Sequence, residues 1–135
     1  MKTTTYLHFN GNCREAMSSY QKSLGGELHL QPYPDATGKP PADPKAPLMH
    51  SQLSVSGVPL IMASDSSPEG PVKPGNNFSV SVECDSLDEI ERLFKAIGEK
   101  GKVRLALSDV PWGARFGMLT DRFGIQWMFS FTPTK

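Results

Sequence analysis

The chain carries one order of predicted elements twice, and this duplication constrains its fold more than any other feature. A short apolar strand over residues 6–9 is followed by an amphipathic helix over residues 14–24 and then by further strands. A second strand over residues 78–82 is followed by a helix over residues 87–97 and again by strands. Internal repetition of this kind indicates two copies of one architectural unit. We therefore predict two βαβββ modules that form a curled mixed sheet of α+β class, with a concave cup along the seam between them.

Local patterns support each predicted element. The first helix places Ala16, Met17, Tyr20 and Leu24 on one face at 3.6-residue spacing. The second helix begins with a capping box that starts at Ser86, in which a serine and a glutamate satisfy opposite backbone amides. Two apolar runs separated by Ser56-Gly57 predict a hairpin with a two-residue turn. Three further strands are predicted at residues 103–107, 114–120 and 125–131.

The chain length of 135 residues indicates a single domain. Within it we place module one at about residues 1–65, a linker at about 66–76 and module two at about 77–132. Residues 31–47 carry six prolines and are predicted to form a loop inside module one. Two interpretations of this loop stay open, a solvated spacer and a lid or dimer arm beside the pocket.

Charge and composition exclude several classes of protein. Lys plus Arg and Asp plus Glu are both 14, so the chain lacks the basic excess typical of proteins that bind nucleic acid or anionic membranes. No signal peptide or membrane-spanning stretch is evident, which predicts a cytoplasmic protein. Cys13 and Cys84 each precede a helix and are interpreted as free thiols of a reducing compartment.

Three parts of the sequence resemble a known family. They are residues 6–16 with Tyr20 and residues 24–26, residues 48–53 with residues 62–65, and above all the closing stretch over residues 112–128. These motifs are similar to those of the PhnB-like branch of the glyoxalase/bleomycin-resistance/dioxygenase superfamily, also called vicinal oxygen chelate proteins. The resemblance implies paired βαβββ modules, a cup-shaped cavity and a homodimer.

The resemblance also implies four positions at which metalloenzymes of this superfamily carry ligands. Counted on this sequence, they fall near Thr5, Met62, Asn77 and Met128, and none of these side chains is a histidine, carboxylate or thiolate. A zinc, nickel or iron site needs three or four such donors. Only His8 and Glu83 lie nearby. We therefore predict a protein without metal or other cofactor.

Two histidines remain candidates for different roles. If Leu7 and Phe9 line the cup, strand alternation directs His8 to the opposite face, under a helix. His50 begins a strand after the proline-rich loop, where an imidazole can contact a ligand. It is also a weak candidate for a catalytic base.

The remaining candidates describe an apolar cavity with a few polar groups, which is typical of small-molecule sites. Arg115 is included because it can meet an anionic ligand. The predicted ligand-binding residues are Leu7, Phe9, His50, Met62, Asn77, Ser79, Trp112, Arg115, Trp127 and Met128.

The leading hypothesis is a metal-free, dimeric protein that binds a small molecule. The main alternative is a metal-dependent lyase, transferase or dioxygenase with unusual ligands such as His8, His50 or Glu83. A third hypothesis is a structural or regulatory dimer without a ligand. No glycine-rich turn between a strand and a helix is present to cradle a methyl-donor nucleotide, so methyl transfer is not predicted.

Overall fold

The computed structural model describes residues 1–65, 70–111 and 113–133. The chain divides into two compact units, unit 1 over Met1–Lys73 and unit 2 over Pro74–Lys135. Each unit contains one helix and one four-stranded mixed sheet, so the predicted α+β class and the predicted duplication are confirmed. No helix within the described ranges has the length and apolar character needed to cross a membrane.

Unit 1 comprises five elements in the order predicted from the sequence. They are β1 (Thr5–Phe9), α1 (Cys13–Leu24), β2 (Glu27–Pro32), β3 (Leu48–Val55) and β4 (Val58–Asp65). The sheet order is β1-β4-β3-β2, in which β1 and β4 are parallel and the other neighbours are antiparallel. The first strand of the unit therefore pairs with its last strand.

Unit 2 repeats this arrangement. Its elements are β5 (Val80–Cys84), α2 (Leu87–Gly98), β6 (Lys102–Asp109), β7 (Arg115–Thr120) and β8 (Gln126–Phe131). The sheet order is β5-β8-β7-β6, again with the first and last strands parallel. The strand predicted to start at Phe78 begins two residues later, at Val80.

The two helices begin in different ways. At the start of α2, the Ser86 hydroxyl accepts a hydrogen bond of 3.0 Å from the backbone N–H of Glu89. The Glu89 carboxylate accepts one of 2.9 Å from the N–H of Asp85, so the predicted capping box is confirmed with its return bond one residue earlier. Asn12 makes no such side-chain bond at the start of α1. A carboxylate from β4 performs this role instead.

That carboxylate belongs to Asp65, which is 2% exposed. Its Oδ1 atom accepts hydrogen bonds of 2.9 Å from the N–H groups of Gly11 and Cys13. Its Oδ2 atom accepts one of 2.8 Å from the N–H of Leu48. One buried side chain therefore joins the end of β4 to the start of α1 and the start of β3.

The turn between β3 and β4 confirms the predicted hairpin. Ser56 and Gly57 have φ angles of 52° and 79°, and Val55 pairs directly with Val58. Positive φ at both central residues matches the twist of antiparallel strands.

The proline-rich segment, residues 31–47, runs between β2 and β3. Its first two residues belong to β2, and its base is closed by a hydrogen bond of 3.0 Å from the Tyr33 N–H to the Pro47 carbonyl. The Tyr33 hydroxyl donates to the backbone carbonyl of Asp65 at 3.3 Å. The segment is thus anchored to its own unit at both ends.

The helix-covered face of each sheet contains residues that we had predicted to line a cavity. In unit 1, the Cys13 thiol of α1 lies 3.5 Å from the Ser51 hydroxyl, which places Ser51 on the face beneath the helix. Ser51 pairs with Ala63, and Ala63 pairs with Leu7, so Leu7 shares this face. Leu7 and Phe9 are only 9% and 3% exposed. The predicted orientation of Leu7 and Phe9 is therefore wrong, and so is the prediction that His8 packs under a helix.

Unit 2 gives the same correction for Trp127. Phe94 of α2 contacts Phe129 edge to face with ring centroids 5.7 Å apart. Trp127 lies two residues before Phe129, stacks on it and is fully buried. A Cβ atom at Gly117, which pairs with Phe129, would lie 2.8 Å from the Phe94 ring. Trp127 is a core residue of unit 2, because α2 packs close against this face.

Candidate functional site

The face of the unit 1 sheet opposite α1, here called open face 1, carries polar and aromatic side chains. Strand alternation places Tyr6 and His8 there, since their neighbours Leu7 and Phe9 face the helix. Tyr6 pairs with Met62, and the register continues through Gln52 to His29. The strand pairings place eight residues on open face 1: Tyr6, His8, His29, Gln31, His50, Gln52, Met62 and Ser64.

Three rings on this face contact one another. The Tyr6 hydroxyl oxygen lies 3.0 Å from Nδ1 of His50, and their ring centroids are 5.7 Å apart with an interplanar angle of 28°. The centroid of the Tyr6 ring also lies 5.1 Å from that of the His8 ring, at an interplanar angle of 37°. We refer to Tyr6, His8 and His50 as the three-ring cluster. Tyr6 is 38% exposed, so the cluster is accessible to solvent.

The hydrogen bond between Tyr6 and His50 defines what the cluster can offer a ligand. When the phenol donates to Nδ1, the imidazole carries its proton on Nε2 and can donate from there. The phenol oxygen keeps lone pairs that can accept. The three-ring cluster therefore combines flat aromatic surfaces with one donor and one acceptor held in a fixed relation.

The face of the unit 2 sheet opposite α2, here called open face 2, has a different composition. Met128 lies between Trp127 and Phe129, which face the helix, so Met128 points the other way. Met128 pairs with Met118 on β7 and with Ser81 on β5. Other members identified by register are Lys102, Leu105, Thr120, Gln126, Phe116, Ser130 and Glu83.

The predicted site residues that do not face a helix lie in several separate places. His50 and Met62 lie on open face 1, where β1 adds Tyr6 beside both. Met128 lies on open face 2, and Asn77 and Ser79 are exposed in the segment before β5. Trp112 lies outside the described residues.

Arg115 is occupied by its own unit. Its Nε donates to Asp109 at 3.0 Å, and its Nη1 donates to Glu91 of α2 at 2.5 Å. The hydrogen bond to Asp109 is the main cause that raises the pKa of the Arg115 guanidinium, and the charge of Glu91 adds to it. With two carboxylates beside it, Arg115 presents little net charge to an anionic ligand.

Two residues of these faces were not predicted from the sequence. Tyr6 had a usable signal, because strand alternation places it on the same side as His8. Alternation places Arg104 on the same face as Lys102. Its contact with Gln126 had no signal, because it joins two strands that are not neighbours in the sheet.

The donors needed for a metal centre do not come together in the part of the chain that the structure describes. No group of three or more histidine, cysteine, aspartate or glutamate residues could hold an ion there. The residues present do not fit the metal site of the superfamily, and no chemical step is derived through one.

The two cysteines are unsuited to nucleophilic chemistry. Cys13 and Cys84 are buried and free. Burial raises the pKa of each thiol to about 11, and for Cys84 the charges of Glu89 and Asp85 act in the same direction. Because the thiolate is the reactive form, both residues are structural.

Comparison with known proteins gives a consistent result. A sequence profile described as 3-demethylubiquinone-9 3-methyltransferase matches residues 1–130. The crystal structure of protein PA1353 from Pseudomonas aeruginosa is similar at 44% sequence identity, covers 97% of both chains and has a TM-score of 0.82. Protein YjdN from Escherichia coli K12 is 28% identical over 144 residues, which cover 96% of this chain and 95% of that protein.

A more distant structure shows the same fold. It is titled a putative 3-demethylubiquinone-9 3-methyltransferase, PhnB protein, from Bacillus cereus. It is 24% identical, covers 98% of this chain and 100% of its own, and has a TM-score of 0.76.

Proposed function

Because this chain belongs to the PhnB-like branch of the glyoxalase/bleomycin-resistance/dioxygenase superfamily, we propose that it binds a small molecule without a metal ion. The binding surface in this proposal is open face 1. The physiological ligand is not identified by the residues present. The proposal rests mainly on the three-ring cluster, in which Tyr6 and His50 share a hydrogen bond on a solvent-accessible sheet face.

The chemistry of the cluster supports this proposal. An aromatic ligand can stack on the exposed rings, and aromatic contacts of this kind contribute about 0.5–1.5 kcal/mol each beyond burial. Met62 is half-buried beside Tyr6 and adds a flexible apolar contact. Small-molecule sites usually contain a few polar groups among mostly apolar ones.

The alternative enzyme classes receive less support. A metal-dependent lyase or dioxygenase needs a donor set that the described residues do not provide. The profile description names methyl transfer, but the turn between β1 and α1 contains one glycine, Gly11, and the turn between β5 and α2 contains none. Neither turn resembles the glycine-rich loop that holds a nucleotide cofactor. His50 is retained in the proposal as a ligand contact.

Two further parts of the proposal concern the state of the protein in the cell. A homodimer is proposed because each sheet has two edge strands, and such edges are often covered by a second copy. On β6, an edge strand of unit 2, Val103 and Leu105 are 51% and 46% exposed. A cytoplasmic location is proposed from the sequence alone.

The proposal can be tested with neutral aromatic fragments such as phenol and indole, monitored by NMR of the histidine and tyrosine ring protons. We expect shifts centred on Tyr6, His8 and His50. Tyr6→Phe and His50→Ala should weaken fragment binding severalfold. His29→Ala is the matched control, since His29 lies on the same face without a ring contact to the cluster. Shifts confined to other residues, or an equal loss in His29→Ala, would contradict the proposal.

The metal-free part needs its own measurement. Elemental analysis of protein purified without chelator should find no stoichiometric metal. One equivalent of nickel, zinc, manganese or iron per chain would overturn that part and restore the metalloenzyme alternative.

A further inference from the structure

Open face 2 has a positively charged end and an apolar middle. Arg104 is the extra residue of the β6 bulge, since Val103 pairs with Leu119 whereas Leu105 pairs with Met118. Its Nη1 donates a hydrogen bond to Oε1 of Gln126. Gln126 alternates with Trp127, which faces the helix, so this contact lies on open face 2.

Gln126 holds the guanidinium in place. Its side chain is 7% exposed, and its Nε2 donates to the Gly75 carbonyl at 3.0 Å. The oxygen and the nitrogen of the Gln126 amide are therefore both hydrogen-bonded. A flipped amide would instead direct its NH2 group, which can only donate, at the guanidinium of Arg104. The guanidinium has five N–H donors, so most of them stay available to a ligand.

The charge of Arg104 is not neutralised within the described part of the chain. No carboxylate there pairs with it, in contrast to Arg115 on the same sheet, which pairs with two. The nearby Asp121 is directed elsewhere, because its Oδ2 accepts from the Trp127 indole N–H at 2.9 Å and its Oδ1 accepts from two backbone amides. Lys102 pairs with Thr120, which in turn pairs with Gln126, so Lys102 lies on the same face and adds a second positive charge.

Beyond Arg104, open face 2 has a mainly apolar middle row and then a more polar row. The middle row contains Met128, Met118 and Leu105 with Ser81 at its edge, and the next row contains Phe116 with Ser108, Ser130 and Glu83. The acid on this face, Glu83, pairs with Ser130, which is four positions from Gln126 and about 13 Å away at the usual rise of about 3.3 Å per residue. The face therefore has a cationic end, an apolar middle row that can contact the body of a small molecule, and a polar far end that carries Glu83.

We propose that open face 2 binds an apolar small molecule that carries a carboxylate, with Arg104 holding the carboxylate and the methionines contacting the apolar body. An arginine fork binds a carboxylate through two parallel hydrogen bonds. Methionine side chains adapt to ligands of varied outline. This site lies in unit 2 and does not depend on the three-ring cluster, so each proposal can fail without the other.

The test compares 2-naphthoate with its neutral analogue 2-naphthamide by calorimetry and by amide NMR. We expect 2-naphthoate to bind more tightly and to shift resonances around Arg104, Met118 and Met128. Arg104→Ala should lower naphthoate affinity about ten- to a hundredfold, the range for loss of a charged hydrogen-bond partner. Affinity for 2-naphthamide should change little. Arg115→Ala is the matched control and should leave both affinities within about twofold, because its charge is already compensated.

Two further variants keep the test valid if Arg104→Ala fails to fold. Arg104→Lys keeps the charge without the fork and should bind naphthoate with intermediate affinity. Gln126→Glu places a carboxylate against the guanidinium and should abolish the preference for naphthoate. Equal affinity for the acid and the amide, or unchanged naphthoate binding in Arg104→Ala, would overturn the proposal. So would a change of oligomeric state in Arg104→Ala, which would identify the face as an interface between copies of the chain.

Discussion

The carboxylate of Asp65 accepts a hydrogen bond of 2.9 Å from the backbone N–H of Cys13, the first residue of α1. Asp65 also accepts from Gly11 and Leu48, so one side chain provides acceptors for three backbone amides. Replacing it with asparagine turns one acceptor into a donor that faces an amide.

We therefore expect Asp65→Asn to lower the free energy of unfolding by about 1–3 kcal/mol, the usual cost of a buried unsatisfied polar group. Urea denaturation monitored by circular dichroism measures this loss. Asp43→Asn is the control, because Asp43 is exposed and accepts from the Lys45 N–H alone. Equal losses in the two variants would contradict the structural role of Asp65.

The serine that begins α2 gives a second prediction. Ser86→Ala removes the hydroxyl that accepts from the Glu89 N–H and should cost about 1 kcal/mol of stability, as other N-cap serines do. Ser79→Ala, an exposed position before β5, should change stability by less than half of that. A difference between the two variants too small to measure by urea denaturation would argue against the cap.

Gly117 is expected to tolerate no side chain. A Cβ atom there would lie 2.8 Å from both the Phe94 ring and a Leu107 methyl group. Gly117→Ala should therefore destabilise the protein by about 1–3 kcal/mol through overpacking. Gly75→Ala is the control, since its Cβ would meet only an Asn77 oxygen at an ordinary 3.5 Å. Thermal unfolding of the two variants provides the comparison.

The buried thiols predict a loss of stability at alkaline pH. Burial is the main cause that raises the pKa of Cys13 and of Cys84 from the ordinary value of 9.0 to about 11. Between these values the unfolded chain loses thiol protons that the folded chain keeps, so the free energy of unfolding falls as pH rises from 9 toward 11.

A variant with both cysteines changed to alanine should show a shallower decline over the same pH range. The difference between the two pH profiles, measured by urea denaturation, isolates the thiols from other groups that titrate there. In the folded wild type, reaction with a disulfide reagent at pH 8 should be slow, and it should become fast in denaturant. Rapid labelling of the folded protein would contradict the burial of both thiols.

The dimer proposal predicts a mass near twice 14.8 kDa by sedimentation at micromolar concentration. Leu105→Lys, on the exposed edge strand β6, then tests whether that edge takes part. A wild-type protein that sediments as a monomer would refute the dimer.

The sequence was sufficient to predict the order of elements, because local signals determine them. The capping box at Ser86, the Ser56-Gly57 turn and the periodicity of both helices depend on residues close together in the chain. Strand alternation also separated Leu7 and Phe9 correctly from His8. It could not determine which of these two sets faces α1, because that choice depends on packing between elements distant in sequence.

The candidate site was only partly predictable for the same reason. His50 and Met62 were predicted from sequence motifs. Tyr6 lies beside both of them because β1 pairs with β4, which sets Tyr6 opposite Met62, a residue 56 positions later in the chain. A large aromatic residue such as Trp127 suits a cavity wall and a protein core equally well. Only the contact between Phe129 and Phe94 shows that α2 covers the sheet face on which Trp127 lies. The contact between Arg104 and Gln126 depends on the strand order β8-β7-β6, which no local signal determines.

The parallel pairing of β1 with β4 has a consequence for synthesis on the ribosome. Tyr6 emerges first, yet its partner Met62 is translated 56 residues later. At about 5–20 residues per second, the first strand waits about 3–11 s without a neighbour. During that time its apolar residues Leu7 and Phe9, which the folded protein buries, are available to molecular chaperones. A somewhat shorter delay occurs in unit 2, where Trp127 is translated 47 residues after its partner Val80, so each half of the nascent protein completes its sheet only when its last strand leaves the exit tunnel.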